Sequence, residues 1–253
     1  MQQLTNSIKK SVARLDTVKF RRQDGVFKAE GTKCVLDTLG AFNVRLLAAT
    51  EEWLASHNVA VSEDKIAVAT RRDLEAMSHL STAPDVICVY EIPQREFDYG
   101  RLGKELMLCL DGVQDPGNLG TIIRSADWFG IRRIVCSKDT VDVWSPKVVM
   151  ATMGALSRVE VYYCELSEVL EHAPIVYGTF LEGENLYTSE LDNNGLIVLG
   201  NEGRGISEEV SGWVSRKLTI PSFPAGEATS ESLNVAMATS IIVAEFRRRA
   251  MSI

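Results

Sequence analysis

The chain has 253 residues, of which 45% are hydrophobic and 24% are charged, and its formal net charge is −7. This is ordinary globular composition, and the length suits one large domain or two modest ones. The acidic balance argues against wholesale electrostatic capture of nucleic acid, and no apolar run reaches the roughly 18 residues of a membrane-spanning helix.

The amino-terminal segment lacks the continuous apolar block of a secretory signal, so the sequence predicts a cytoplasmic protein. The five cysteines are widely spaced and show neither a Cys-x-x-Cys pair nor a Cys/His ligand spacing. Four of them lie in apolar runs, which is typical of buried free thiols in a reducing compartment. We therefore expect neither a disulfide framework nor a metal site.

The first 33 residues carry eight basic side chains and three acidic ones, although the chain as a whole is acidic. Such a charge run is either a solvated surface or a contact for a polyanion, and the sequence leaves both interpretations open.

Short helices and strands alternate from residue 26 to about residue 92, which favours a small α/β unit. The predicted helices are 31–41, 51–58 and 71–80, and the predicted strands are 43–50, 65–70 and 86–92. Residues 93–104 contain proline, two glycines and many charges without periodicity, so this stretch is the candidate linker. We place an amino-terminal domain at 1–95, the linker at 96–104 and a second domain at 105–253.

The second domain contains strands that are apolar almost throughout. They are predicted at 105–113, 132–137, 159–163, 175–180, 195–201 and 216–221, with helices at 118–129, 145–156, 206–214 and 231–249. Such strands, alternating with helices, favour an α/β fold with a parallel sheet covered on both faces. Ligands of parallel sheets bind beyond the carboxyl ends of the strands, where three unusual loops occur.

The first of these loops, "DPGN", precedes a helical pattern whose apolar positions form one buried stripe. Asn118 suits the N-cap of this helix, because its side chain can accept a bond from a free backbone amide. Arg124 lies off the stripe. Taken alone, it would be interpreted as a surface arginine paired with Asp127 at i+3.

The second loop, "GNEGRGIS" at 200–207, has three glycines in six residues, which permits a close approach of backbone to a ligand. It lacks the lysine of a P-loop and the spacing of a dinucleotide fingerprint. Glu202 and Arg204 are not explained by turn chemistry alone.

The third loop leads into the long carboxy-terminal helix, which is small or apolar on two faces and must be buried on two sides. A homodimer interface explains the second side most economically. Arg247, Arg248 and Arg249 stand at the carboxyl end of the helix, where the helix dipole favours cations.

In order and spacing, residues 110–130, 197–207 and 220–249 resemble the three signature motifs of the SpoU (TrmH) family in the SPOUT superfamily, and "WSPKVVMATMGAL" also matches. Residues 18–92 resemble, more loosely, a ribosomal-protein-L30e-like substrate-binding domain. The resemblance implies an S-adenosylmethionine-dependent RNA ribose 2′-O-methyltransferase with a trefoil-knot α/β domain. It also implies a homodimer whose carboxy-terminal helices pack together.

By position, the resemblance implies that the S-adenosylmethionine site is lined by Gly200, Asn201, Ile220 and Leu233. The catalytic positions that it implies are Asn118, Arg124, Glu202, Ser232 and Asn234. The segment 222–230, which bounds the cofactor site in the family, is longer here than the short loop typical of that place.

The chemistry of this reaction needs no metal, because the sulfonium methyl group is already electrophilic. A ribose hydroxyl must be held in line with it, about 3 Å away. Arg124 is expected to stabilise the developing alkoxide rather than to act as a base, because guanidinium does not deprotonate in proteins. RNA would be held first by charge and shape, and the leading candidates for this contact are Arg21, Arg22 and Lys28.

Three alternatives stand beside this interpretation: a non-catalytic RNA-binding or assembly protein with the same fold, a nucleotide-binding enzyme, and a methyltransferase that modifies a base. The presence of Arg124, Glu202 and Asn234 counts against the first, and the missing P-loop lysine against the second. The combination of Arg124 with Ser232-Leu233-Asn234 favours ribose over base. Ribosomal RNA is favoured over transfer RNA only by analogy with the fused amino-terminal domain.

Overall fold

The structure is a computed structural model that describes residues 2–224, 227 and 230–251. The chain forms two compact units. The amino-terminal unit comprises Met1–Gln94 and Asp142–Arg158, and the carboxy-terminal unit comprises Arg95–Val141 and Val159–Ile253. Residues 225, 226, 228 and 229, which belong to the loop expected to bound the cofactor, lie outside the described residues. None of the described helices is long and apolar enough to cross a membrane.

The elements up to residue 91 are α1 (Asn6–Ala13), α2 (Val18–Asp24), β1 (Val26–Glu30), α3 (Thr32–Thr38), β2 (Val44–Ala49), α4 (Glu51–Ser56), β3 (Ile66–Val68), α5 (Arg71–Met77) and β4 (Val86–Glu91). The elements that follow are β5 (Leu106–Leu110), α6 (Pro116–Trp128), β6 (Arg133–Cys136), α7 (Pro146–Ala151), β7 (Glu160–Tyr163), α8 (Leu166–Leu170), β8 (Val176–Asn185), β9 (Gly195–Leu199), α9 (Glu208–Ser211), β10 (Arg216–Thr219) and α10 (Val235–Ala250).

The amino-terminal unit is built on a four-stranded sheet in the order β1-β4-β2-β3. β4 runs antiparallel to both of its neighbours, and β3 runs parallel to β2. Its apolar core includes Val12 of α1, Leu74 of α5 and Val26 of β1. The three predicted strands in this unit are confirmed, but β1 lies within the basic run of the first 33 residues and was not predicted.

Residues 142–158 belong to the amino-terminal unit, whereas the sequence placed them in the second domain. The ring of Trp144 lies 4.5 Å from that of Phe27 and 5.9 Å from that of Phe42, measured between centroids. Asp142 accepts a hydrogen bond of 2.9 Å from Nε of Arg21. These contacts join residues more than 100 positions apart, so local periodicity carries no sign of them.

The carboxy-terminal unit has a six-stranded sheet, all of it parallel, in the order β10-β8-β9-β5-β6-β7. The predicted α/β fold with a parallel sheet is confirmed. Helices α6 and α10 of this unit pack side by side. The hydroxyl oxygens of Ser125 on α6 and Ser240 on α10 lie 2.7 Å apart. Further along, Nε of Arg247 donates to the carbonyl oxygen of Phe129 at 2.7 Å, which closes the carboxyl end of α6.

The predicted linker, residues 96–104, packs against the rest of the carboxy-terminal unit. The ring of Phe97 lies 5.4 Å from that of Tyr162, and Nδ2 of Asn194 donates to the carbonyl oxygen of Gly103 at 2.7 Å. Gly103 has a φ of 73°, and a Cβ placed there would lie 2.5 Å from the ring of Pro174. Composition alone predicted an irregular segment and could not show this contact.

The helices that border the carboxyl edge of the parallel sheet begin or end at other residues than predicted. α6 begins at Pro116 with Asp115 as its N-cap, α10 begins at Val235, and the helix predicted at 206–214 covers only Glu208–Ser211. Asn118 therefore lies inside the first turn of α6, and the prediction that it caps the helix was wrong. The Asp-Pro pair was the overlooked signal, since proline at the first helical position commonly follows a capping aspartate.

Candidate active site

The candidate site lies at the carboxyl edge of the parallel sheet. β5 leads into residues 111–115, and β9, its direct neighbour, leads into the glycine-rich loop 200–207. Residues 220–234 follow β10 and connect it to α10. Parallel neighbours end on the same side of a sheet, so the first two loops meet there.

The glycine-rich loop is locked against the loop that follows β5. Nδ2 of Asn201 donates to the carbonyl oxygen of Gly112 at 2.7 Å, and the amide of Ser207 donates to Oδ2 of Asp111 at 2.7 Å. Oδ1 of Asn201 accepts bonds from the amides of Gly203 and Arg204. The side chain of Asn201 is thus engaged in shaping the loop, and a cofactor contact from this residue would use its backbone.

Gly200 stands where no other residue fits. A Cβ at this position would lie 2.1 Å from the carbonyl carbon of Gly205 and 2.2 Å from the amide nitrogen of Ile206. Asn201 and Gly205 close the turn with two backbone hydrogen bonds of 2.9 Å. The missing side chain lets the turn fold back on itself and leaves its backbone at the edge of the sheet.

Glu202 holds the beginning of α6. Its carboxylate accepts a hydrogen bond of 2.9 Å from Nδ2 of Asn118 and two longer bonds of 3.4 Å from the backbone amides of Gln114 and Asp115. This explains why an acidic residue occupies a glycine-rich turn, which turn chemistry had not explained.

Asn118 also forms a hydrogen bond with Asn234, the N-cap residue of α10. Its Oδ1 accepts a bond of 2.9 Å from Nδ2 of Asn234, and Oδ1 of Asn234 accepts the amides of Ala236 and Met237 as the N-cap of α10. Residues of the glycine-rich loop, of the first turn of α6 and of the N-cap of α10 therefore form one hydrogen-bonded chain, from Glu202 through Asn118 to Asn234. Because each amide has both of its ends engaged, the orientation of each side chain is fixed.

Arg124 is exposed on α6, two turns beyond the start of the helix. The alternative interpretation, a surface pair with Asp127, does not hold, because no ion pair joins Arg124 to Asp127 in the described part of the chain, whereas Arg132 contacts Asp127 at 2.9 Å. Within the described part of the chain, no hydrogen bond or ion pair engages the Arg124 guanidinium. A cation on a helix that begins in the site, without a partner of its own, is available to an anionic ligand.

The remaining predicted residues surround α10 and β10. Ile220 is half-buried directly after β10, while Ser232 and Leu233 are exposed just before α10, Leu233 with 47% of its surface accessible. Their assignment to the cofactor or the ribose stays a prediction.

Two of the three cations predicted to contact RNA are buried, and that prediction was wrong for them. Arg21 is 2% exposed, pairs with Asp142 and donates to the carbonyl oxygen of Leu15. Lys28 is fully buried and contacts Asp16, Glu30 and the carbonyl oxygen of Met77. The charge of the first 33 residues includes both cations, but in the folded chain carboxylate groups inside the unit pair with them. Arg22 is exposed and stays a candidate.

One group of the described residues has the spacing of metal ligands. Single ligand atoms of Asp16, Glu30 and His79 lie within 4.8 Å of one another, in the amino-terminal unit. The ammonium group of Lys28 contacts two of them at 2.9 Å, so a protein cation already stands among these carboxylates.

Comparisons with known proteins agree with the sequence motifs. A family model described as the SpoU rRNA Methylase family matches residues 105–244. The Bacillus subtilis 23S rRNA (guanosine(2553)-2′-O)-methyltransferase RlmP is 27% identical over 244 residues, which are 92% of this chain and 93% of that protein.

Several solved structures resemble the chain over nearly its whole length. A TrmH-family protein from Porphyromonas gingivalis is 38% identical with a TM-score of 0.87, covering 97% of this chain and 99% of its own. The rRNA methyltransferase of Sinorhizobium meliloti, solved with bound S-adenosylmethionine, is 29% identical with a TM-score of 0.84. That match covers 100% of this chain and 98% of the other.

Proposed function

The chain belongs to the SpoU rRNA methylase family, and from this premise we infer that it transfers a methyl group from S-adenosylmethionine to a ribose 2′-hydroxyl of RNA. The family match over residues 105–244 carries this conclusion, and the full-length similarity to RlmP supports ribosomal RNA as the substrate. A non-catalytic relative is disfavoured, because the Glu202–Asn118–Asn234 chain is intact and Arg124 is present.

The residues present fit S-adenosylmethionine. The compact turn at Gly200 brings backbone groups to the sheet edge, and Ile220 after β10 and Leu233 before α10 offer accessible apolar side chains. When bound, the cofactor supplies the methyl group on a positively charged sulfur. We assign its binding to Gly200, Asn201, Ile220 and Leu233.

The polar residues of the site divide the remaining work. Arg124 faces the 2′-oxygen and stabilises the negative charge that grows on it, while a phosphate of the RNA accepts the proton. Asn118, Asn234 and Ser232 position the ribose by hydrogen bonds, and Glu202 fixes the amide of Asn118. The binding geometry, rather than a strong base, brings the oxygen and the methyl carbon together.

The most direct test of this function is a methylation assay on unmodified ribosomal RNA. The purified protein should bind S-adenosylmethionine in isothermal titration and label large-subunit rRNA at one ribose. Mapping ribose methylation in a strain that lacks the gene should show the loss of the same site. Cofactor binding without any methylation would favour the non-catalytic alternative, and the absence of cofactor binding would exclude the function.

We further propose that two copies complete the site. Trp128 at the end of α6 is 85% exposed, Met237 of α10 is 59% exposed, and Met251, directly after α10, is 65% exposed. α6 and α10 are in contact, and exposed apolar side chains on such neighbouring helices are of the kind that an interface would cover. The trefoil knot and the L30e-like origin of the amino-terminal unit belong to the same proposal. Membership of the SpoU family is what supports the knot. A cytoplasmic location suits the rRNA substrate.

Replacing Trp128 with lysine is expected to convert a dimer into a monomer, because an aromatic anchor at the centre of an apolar interface carries much of the association energy. Light scattering coupled to gel filtration measures this directly. Trp213→Lys is the matched control, since Trp213 is 40% exposed and lies two residues beyond α9 in the same unit. A wild-type monomer, or a Trp128→Lys dimer, would contradict this assignment.

A further inference from the structure

A cavity of about 370 Å³ opens over strands β1, β4 and β2 of the amino-terminal unit. Its floor is apolar and belongs to the core of the unit, with Val12, Val26, Leu46 and Val89. Its rim is polar and includes Ser11, Arg14, Asp24 and Arg45. A space of this size, apolar inside and with a few polar groups at its edge, has the ordinary form of a small-ligand site.

Arg45 reaches this rim because β2 contains a bulge. Val44 pairs with Tyr90 and Leu46 pairs with Val89, which leaves Arg45 as an extra residue opposite none. Bulges redirect a side chain and recur beside binding sites. Arg45 is exposed, and among the described residues none forms a hydrogen bond or ion pair with its side chain.

An ion pair forms the opposite part of the rim. Nη2 of Arg14 donates to Oδ2 of Asp24 at 2.6 Å, and the Arg14 guanidinium lies 4.9 Å from the centre of the Phe20 ring. The side chains of Arg14 and Asp24 remain 40% and 25% exposed. The pair therefore offers hydrogen-bond donors and an acceptor next to each other, which is what the edge of a nucleobase requires. A guanidinium plane can also stack on a base.

The helices beside the cavity carry exposed cations. Lys10 precedes Ser11 on α1, and Lys19 and Arg22 share one face of α2, which ends at Asp24. Exposed cations of this kind contact phosphates and position RNA without reading its sequence.

We propose that this cavity binds one unpaired nucleotide of the RNA substrate, its base over the apolar floor and its phosphates against Arg45 and the neighbouring lysines. The occupant must combine an apolar plane, a polar edge and a negative charge, and a nucleotide has all three. Proteins that read RNA sequence commonly take unpaired bases in this way. The inference rests on the proposed function, because it identifies where the same RNA is held.

Two substitutions test the cavity, with unmodified large-subunit rRNA transcribed in vitro as the probe. Arg45→Ala removes the cation at the bulge, and Ser11→Phe fills the mouth of the cavity without changing charge. Each is expected to raise the Kd for rRNA about tenfold, Arg45→Ala through a lost phosphate contact and Ser11→Phe through a lost base contact. Arg72→Ala removes an exposed arginine elsewhere in the same unit, and its effect should stay below about threefold.

The Kd for S-adenosylmethionine should be the same in all three variants, and thermal melts should confirm folding. If Arg45→Ala weakens rRNA binding no more than Arg72→Ala does, the cavity is not the site. If Ser11→Phe does not fold, the Kd values of Arg45→Ala and Arg72→Ala for rRNA decide whether the cavity is the site. A wild-type protein that binds rRNA but does not methylate it would refute the proposed function. The Kd values of the variants for rRNA would still show whether the cavity binds RNA.

Discussion

Arg124→Ala is expected to lower the rate of methyl transfer by about 10²–10³-fold, the cost of removing one preorganised group that stabilises a developing oxyanion. Arg124 stands on the helix that Glu202 and Asn118 anchor, and among the described residues it has no partner of its own to lose. The substitution should therefore leave the fold and the affinity for S-adenosylmethionine unchanged, since the cofactor is assigned to other residues.

Single-turnover methylation with saturating cofactor measures this effect, and isothermal titration measures the affinity for the cofactor. Arg132→Ala is the matched control, because Arg132 is an exposed arginine of the same unit that pairs with Asp127. It should methylate at close to the wild-type rate. Turnover of Arg124→Ala within a few-fold of the wild type would remove Arg124 from the mechanism.

Arg124→Lys separates charge from geometry. Lysine keeps the positive charge but lacks the planar fork that contacts two oxygen atoms at once. If Arg124 serves by electrostatic stabilisation, the lysine variant should retain activity between that of the alanine variant and the wild type. Equal inactivity of the two variants would mean that the fork itself, spanning the ribose oxygen and a phosphate, is what the reaction needs.

Periodicity was sufficient to predict the parallel sheet of the carboxy-terminal unit. Its central strands β5 and β9 are apolar throughout because both faces are covered, and this pattern is visible in a single sequence. The motif order likewise brought together Asn118, Glu202 and Asn234, which the structure joins by hydrogen bonds. The cap of α6 was misplaced by three residues, because Asp115 and Asn118 are both good capping residues and only geometry decides between them.

The amino-terminal unit was harder to predict because its important contacts are distant in sequence. A basic run gives no sign that Arg21 pairs with Asp142 or that Lys28 turns inward between Asp16 and Glu30. Burial of a charged group depends on partners that the tertiary fold supplies. The bulge at Arg45 is also a long-range feature. It is defined by the pairing of β2 with β4, which the pattern of a single strand does not show.

The second large effect is expected from Lys28→Met, which should destabilise the amino-terminal unit by about 3–5 kcal/mol. Methionine fills a similar volume but removes the ammonium that contacts Asp16, Glu30 and the carbonyl oxygen of Met77. Glu30, which is 5% exposed, would then keep its charge beside one remaining imidazole and one hydroxyl. Lys33→Met is the control, because the Lys33–Asp37 pair is exposed and should contribute less than about 1 kcal/mol.

The pH dependence of unfolding identifies the cause of this loss. Burial alone would raise the pKa of Glu30, but the hydrogen bond from His79, the charge of Lys28 and the hydrogen bond from Ser78 lower it to about 2. A carboxyl group with a lowered pKa stabilises the folded state above its unfolded pKa of 4.5, and that stability disappears as the pH falls towards 2. In Lys28→Met the pKa of Glu30 should rise, so urea unfolding between pH 7 and pH 3 should show a weaker loss of stability on acidification than in the wild type.

Adding Glu30→Gln to Lys28→Met should recover part of the lost stability at pH 7, because no buried carboxylate is then left without its cation. Equal acid sensitivity of Lys28→Met and the wild type would show that Lys28 does not hold Glu30 in its charged form.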